Sequence, residues 1–128
     1  MEHPLVTIGI TTYNSNISYL STALDSAINQ EYQNIEIIIS DDASQNIDEI
    51  ENLIRVKNDK RIIFLKSLKN KGVSDSLNNI VSYAKGHYFT WCPDDDYMHL
   101  SKVKLQVESL KSNPNAISVC DHCQILDF

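Results

Sequence analysis

Glycine is scarce in this sequence, three residues in 128, and the glycine-rich loops that usually cradle phosphate are missing with it. No G-x-G-x-x-G follows the first apolar run and no G-x-x-x-x-G-K-[ST] occurs anywhere, which excludes the dinucleotide fingerprint and the P-loop. Cysteine is equally rare: Cys92, Cys120 and Cys123 make an odd count and no disulfide framework. No apolar run approaches the ~20 residues of a membrane span, and no signal-peptide pattern opens the chain. A cytoplasmic location is therefore expected, with any membrane association supplied by parts outside this chain. Clusters of Lys and Arg are absent too, and a net charge of −6 speaks against nucleic acid as a partner. With no repeat, low-complexity stretch or linker, residues 1–128 read as a single domain long enough to bury a core.

What the chain does have is alternation. Leu5–Thr11 ("LVTIGIT") is a short, nearly continuous apolar run, as a strand buried on both faces requires. After the turn residues "TYNSN", Ile17, Leu20, Ala23, Leu24, Ala27 and Ile28 recur at helical spacing, so a helix is predicted over 17–29. "IEIIIS" (Ile35–Ser40) predicts a second buried strand, 47–57 a second helix and "RIIFL" (Arg61–Leu65) a third strand. A third helix is predicted near 73–85, with Gly86 placed where a helix-stopping glycine belongs. "HYFTWC" (His87–Cys92) reads as strand four, Ser101 as the N-cap of a helix ending near Asn113-Pro114, and "AISVCDHCQIL" as a fifth strand.

Strand and helix alternating over the whole length predict an α/β fold with a mostly parallel sheet and helices on both faces. With right-handed crossovers, and the fourth strand returning beside the first, the order is 3-2-1-4 plus a further strand. Ligands bind such sheets at the carboxyl ends of the strands, where the winding reverses. Those ends carry Thr11-Thr12-Tyr13-Asn14, Asp41-Asp42 and, after strand four, Asp94-Asp95-Asp96. At roughly 6 Å, two unit charges repel by ~0.7 kcal/mol in water and ~3 kcal/mol at an effective dielectric of 20. Three carboxylates on a wet turn are tolerable; three converging in a cleft call for a cation. Oxygen-only ligands favour Mg²⁺ or Mn²⁺, which could bridge to the phosphates of a nucleotide diphosphate. The acid after strand two could accept from a base N–H or a ribose hydroxyl, and Tyr13 offers a stacking face.

The segments "VTIGITTYN" (Val6–Asn14), "IEIIISDDAS" (Ile35–Ser44), "NKGVSDSLN" (Asn70–Asn78), "AKGHYFTW" (Ala84–Trp91) and "DDD" (Asp94–Asp96) resemble, in order and spacing, the family-2 glycosyltransferases. The likeness covers nearly the whole chain. It implies a Rossmann-like GT-A half that binds a nucleotide-diphospho-sugar, with a UDP-sugar as the expected donor. By that resemblance Thr11, Tyr13 and Asn14 line the nucleotide pocket, Asp42 hydrogen-bonds the base with Asp41 beside it, and Asn70 and Gly72 shape the flanking loop. Asp94–Asp96 correspond to the Asp-x-Asp-type motif, touching ribose and metal. Asp94 is assigned to the nucleotide and Asp95 and Asp96 to Mn²⁺ or Mg²⁺, with Asp95 the first choice. The order of roles between Asp94 and Asp96 stays open, because Pro93 occupies the slot where the family pattern usually carries an acid. A second departure is Leu77, where many relatives carry an arginine. The resemblance further implies inverting transfer to a saccharide or lipid-linked acceptor. The acceptor site and general base are expected beyond residue 128.

Blander readings apply to the same residues. Asp41-Asp42 could only cap the following helix, Asn70 and Gly72 could only make a turn, and Tyr13 could only pack. Cys120-x-x-Cys123 with His122 supplies too few zinc ligands even if Cys92 joined, and on a strand the two cysteines would face opposite sides. His87 reads as an ordinary polar residue; His99, near the acidic loop, is a minor ligand candidate. Two other classes fit worse. A receiver-type signalling domain needs its acidic pair after strand one and a lysine after strand five. A nucleotidyltransferase needs a basic glycine-rich loop after strand one. A nucleotide-sugar-binding domain without catalysis stays open.

Overall fold

Seven consecutive buried residues form a strand only in the interior of a sheet covered on both sides. Two stretches meet this description, β1 (Val6–Thr12) and β2 (Ile35–Asp41). In the computed structural model, which describes residues 2–125, they pair in parallel at the centre of the sheet, Val6 opposite Ile35 through Thr12 opposite Asp41. The shorter strands β3 (Ile62–Lys66) and β4 (Tyr88–Trp91) flank them, giving four parallel strands in the order β3-β2-β1-β4. This is the predicted order.

Helices α1 (Ile17–Ile28), α2 (Ile47–Lys57), α3 (Val73–Tyr83) and α4 (Lys102–Ser112) divide between the two faces. Val6, Ile8 and Ile10 share one core with Ile35, Ile37 and Ile39, Leu20 and Leu24 of α1, Ile50 of α2, and Val103 and Val107 of α4. The alternate residues face α3. There Gly9 is needed for space, since a Cβ would sit 2.9 Å from Phe89 Cε2 and 3.1 Å from Ile80 Cγ2.

Three local expectations are corrected. The fifth strand is not formed: residues 116–125 carry no strand, and residue 126 lies outside the described residues. Ile117 and Val119, 90% and 86% exposed, meet no surface that would reward their alternation, and a run without a paired neighbour gains no ladder bonds. Ser101 stands at the N-cap position of the last helix, as expected, but makes no side-chain cap bond. The cap comes from Gln30, fully buried at the end of α1, whose Oε1 accepts from Val103 N at 3.1 Å. Its Nε2 donates to Ser26 O and His99 O, and Met98 N donates to Ser26 Oγ at 3.0 Å. The chain leaving the acidic run is thus strapped to α1.

Gly86, finally, does not end α3 through a left-handed turn; that helix stops at Tyr83 with Ala84 extended. Gly86 passes so close to β1 that a Cβ would lie 2.5 Å from Thr7 N and 2.7 Å from Tyr88 O. Its N–H donates at 3.0 Å to Oε1 of Glu36, a buried carboxylate that also accepts from Thr7 Oγ1 and Lys85 N. Because two of the three obstructing atoms are backbone, the third being Thr7 Oγ1, Gly86→Ala should cost about 1–3 kcal/mol as an overpacked site. Urea unfolding measures this, with Lys85→Ala, whose side chain is exposed, as the near-neutral control.

Candidate functional site

All four strands being parallel, their carboxyl ends open on one edge of the sheet. The chain winds from β1 outward to β3 and then returns to β4 on the other side of β1. The loops after β1, β2 and β4 are therefore neighbours at the reversal point, where open α/β sheets leave a crevice.

Asp41 makes the floor. It is fully buried, and its carboxylate accepts from Thr12 Oγ1 at 2.9 Å, Ser44 N at 2.9 Å and Ser44 Oγ. A buried carboxylate persists only with such a set of partners. Ala43 turns through φ 63° to bring Ser44 back to it. Ser44 Oγ in turn accepts from Asn14 N at 2.8 Å, Asn14 Oδ1 accepts from Gln45 N at 2.8 Å, and Asn46 Nδ2 donates to Ser15 O. The β1 and β2 loops are one laced unit. The side-chain oxygen of Asn14 is thereby engaged within the protein, and the Asp41 carboxylate serves the fold.

Asp42, 4% exposed, faces the third loop. Its Oδ1 accepts from Lys71 N at 2.8 Å and its Oδ2 from Gly72 N at 2.7 Å. Gly72 can hold this position because its φ is 95°, a region that favours glycine. Asn70 Nδ2 lies 3.5 Å from Asp42 O. Thr11 Oγ1 accepts from Trp91 Nε1 at 3.2 Å, tying β1 to the end of β4. Tyr13 and Trp91 are both about half exposed at this end, leaving two aromatic faces open.

The acidic run closes the mouth. A turn from Pro93 to Asp96, with Asp96 N donating to Pro93 O at 3.2 Å, presents the three carboxylates. Asp94 is partly buried and takes a hydrogen bond from Ser15 Oγ. Burial holds its carboxyl above the usual aspartate range, the Ser15 hydroxyl opposes this, and the neighbouring Asp95 and Asp96 add to it. Asp95 and Asp96 are exposed, and no ion pair engages either among the described residues. Two open carboxylates fit a hard cation that draws its other oxygens from a ligand and from water. Among the described residues no cluster of three or more His, Cys, Asp or Glu side chains could enclose a metal by itself. His99 Nδ1 is bonded to Ser101 Oγ at 2.8 Å. Cys92, beneath the turn, has its thiol pushed up to about 11 by burial, and stays a neutral core group.

The structure thus brings Thr11, Tyr13, Asn14, Asp41, Asp42, Asn70, Gly72 and Asp94–Asp96 to one edge. Sequence reasoning missed Ser15, Ser44 and Trp91. Ser15 and Ser44 read as ordinary turn residues, and Ser15 finds its partner 79 residues away. A separate cavity of about 260 Å³ lies along the free side of β4, lined by His87, Phe89, Gln106, Leu110 and Ile117.

The model of the glycosyl transferase family 2 matches residues 7–125. The chain belongs to glycosyl transferase family 2. An uncharacterized glycosyltransferase of Rickettsia felis is 38% identical over 112 residues, covering 88% of this chain and 18% of that protein. The Escherichia coli UDP-Glc:α-D-GlcNAc-diphosphoundecaprenol β-1,3-glucosyltransferase WfaP is 34% identical over 124 residues, 97% of this chain and 48% of that protein. This family-2 chain therefore spans between 18% and 48% of the length of these two relatives. Its fold is the GT-A fold of two solved structures. The mannosyltransferase of Pyrobaculum calidifontis in complex with GDP-Man and Mn²⁺ superimposes with a TM-score of 0.76 at 20% identity, covering 84% of this chain and 32% of that one. Staphylococcus aureus TarS in complex with UDP-GlcNAc gives 0.77 at 18% identity, covering 91% and 37%. Among the described residues no helix is long and apolar enough to cross a membrane.

In this family-2 chain the geometry separates acids that hold the candidate site together from acids that are open to solvent. Asp41→Ala should cost at least about 2 kcal/mol, because it strands buried donors that bond a charged group. Asp95→Ala and Asp96→Ala should stay within about 0.5 kcal/mol of the parent, as exposed substitutions do. Urea midpoints of the three variants check this.

Proposed function

We propose that this chain is the donor-binding part of a glycosyltransferase, moving a sugar from a nucleotide-diphospho-sugar to an acceptor hydroxyl. The observation that carries the reading is the division of labour among the strand ends. The loops after β1 and β2 are locked by their own hydrogen bonds, and the turn after β4 keeps Asp95 and Asp96 open beside them. A rigid wall next to unpaired carboxylates suits a ligand that is flat at one end and phosphorylated at the other.

In this reading the base stacks on Tyr13, which is 52% exposed. Asp42 accepts from a base N–H through the second lone pair of an oxygen already bonded to the loop backbone. Thr11 and Asn14 line the pocket, and Asn70 and Gly72 form its side wall. Asp41 supports this wall from beneath. Asp94 receives a ribose hydroxyl, and Asp95 and Asp96 hold Mn²⁺ or Mg²⁺, whose charge would stabilise the departing diphosphate. A UDP-sugar is the expected donor. In support, the E. coli relative is named for UDP-Glc and an undecaprenol-linked acceptor, and the neighbouring structures hold UDP-GlcNAc and GDP-Man with Mn²⁺. A saccharide or lipid-linked acceptor and a role in cell-surface polysaccharide synthesis follow from the same reading. Inversion would need a carboxylate base to deprotonate the acceptor. No residue of this chain is assigned to that role, and the reading places it in further polypeptide.

Calorimetric titration of the purified chain with UDP tests the reading. Binding that strengthens at least about tenfold when Mn²⁺ is added, and that Asp95→Asn/Asp96→Asn abolishes, is the expected result. No binding at millimolar UDP, with or without Mn²⁺, would overturn it.

A further inference from the structure

Ser15 sits in the crevice with no part in the fold's core and no part in the reading above, yet it is 5% exposed. Its backbone is immobilised from three sides. Asn14 before it is held in a left-handed conformation by Ser44 and Gln45. Asn16 after it caps α1, accepting from Ser18 N at 2.9 Å and Tyr19 N at 3.2 Å. Asn46 Nδ2 holds the Ser15 carbonyl at 2.9 Å. A hydroxyl on so fixed a backbone has little freedom, and its proton goes to Asp94 Oδ2.

Asp94 has the opposite character. It rides on the short turn after Pro93, and the bond from Ser15 is its one side-chain tie to another segment among the described residues. An aspartate on a turn would otherwise exchange rotamers. With Oδ2 bonded to Ser15, the same carboxylate can present Oδ1 to a ligand in a fixed direction.

We propose that Ser15 is a positioning residue of the donor site. It aims Asp94 by joining the β4 turn to the hydrogen-bonded unit that runs from Asp41 through Ser44 and Asn14. This rests on the donor-binding reading and adds to it a residue whose own atoms need not touch the ligand. The bond transmits the rigidity of two interior strand ends to the third, which has only a four-residue strand behind it. Serine suits the place because it offers one small donor beside a backbone that is otherwise occupied.

The test is a double-mutant cycle read by UDP affinity in the presence of Mn²⁺. Ser15→Ala should weaken binding about tenfold, the size of one hydrogen bond to a charged group. Asp94→Ala, which removes the acceptor of the Ser15 bond, should weaken it at least as much. The double variant should bind no worse than Asp94→Ala alone, because Ser15 acts only through that carboxylate. Losses that add, or a Ser15→Ala chain that binds as the parent does, would overturn the positioning role while leaving the donor reading intact. A parent chain that binds no UDP overturns both. A Ser15→Ala chain that fails to fold is replaced by the pair Ser15→Thr and Ser15→Val, equal in shape and differing in the donor. Parent-like affinity for threonine against a tenfold loss for valine supports the role, and equal affinities contradict it.

Discussion

A carboxylate cut off from water has to find its hydrogen bonds inside the protein, and Asp41 finds them in Thr12 and Ser44. That requirement organises the whole upper edge of the sheet. Meeting it bends the β2 loop through the left-handed Ala43 and returns Ser44 to the strand end. Ser44, so placed, receives Asn14 N and fixes the β1 loop as well. Two chain segments about thirty residues apart become one rigid piece around a single buried charge. The parallel register that sets Thr12 opposite Asp41 makes this possible.

The adjacent Asp42 extends the same logic to a third loop. Successive strand-end residues point to opposite faces, so Asp41 serves the α1 side of the sheet while Asp42 reaches toward α3 and grips Lys71 N and Gly72 N. The acidic turn after β4 is held by different means. Ser26 of α1 and Gln30 just beyond that helix anchor the chain after it, and Ser15 takes Asp94 from the side. Asp95 and Asp96 are left facing solvent. Under the proposed function, these open members are the ones that would share a cation with the ligand.

Much of this fold was legible in the sequence, for a simple reason. Strands buried on both faces need continuous apolar runs, and "TIGI" and "IIIS" have no other sensible home. Right-handed crossovers then restricted the order, and a fourth strand returning beside the first gave the one observed. The candidate site was legible as a place, since polar residues ended three strands that lie side by side if the fourth returns next to the first, as it does. Its internal roles were not. Asp41 and Asp42 are the same residue type in adjacent positions, and only the direction of each side chain separates a structural acid from its neighbour. Ser15 was invisible because its partner lies far along the chain, and Gly86 misled because a glycine after a helix has an easy local explanation. The fifth strand failed because alternation in Ile117 and Val119 predicts a strand only where a surface exists to bury one face.

The central claim is that the ends of β1, β2 and β4 form one binding mouth. Amide chemical shifts of the isotope-labelled chain, recorded while UDP is added with Mg²⁺, test it most directly. The account predicts that the largest changes gather at Tyr13, Asn14, Asp42, Gly72 and Asp94–Asp96 together. Changes centred instead on the groove beside β4, at His87, Gln106 and Leu110, would contradict it.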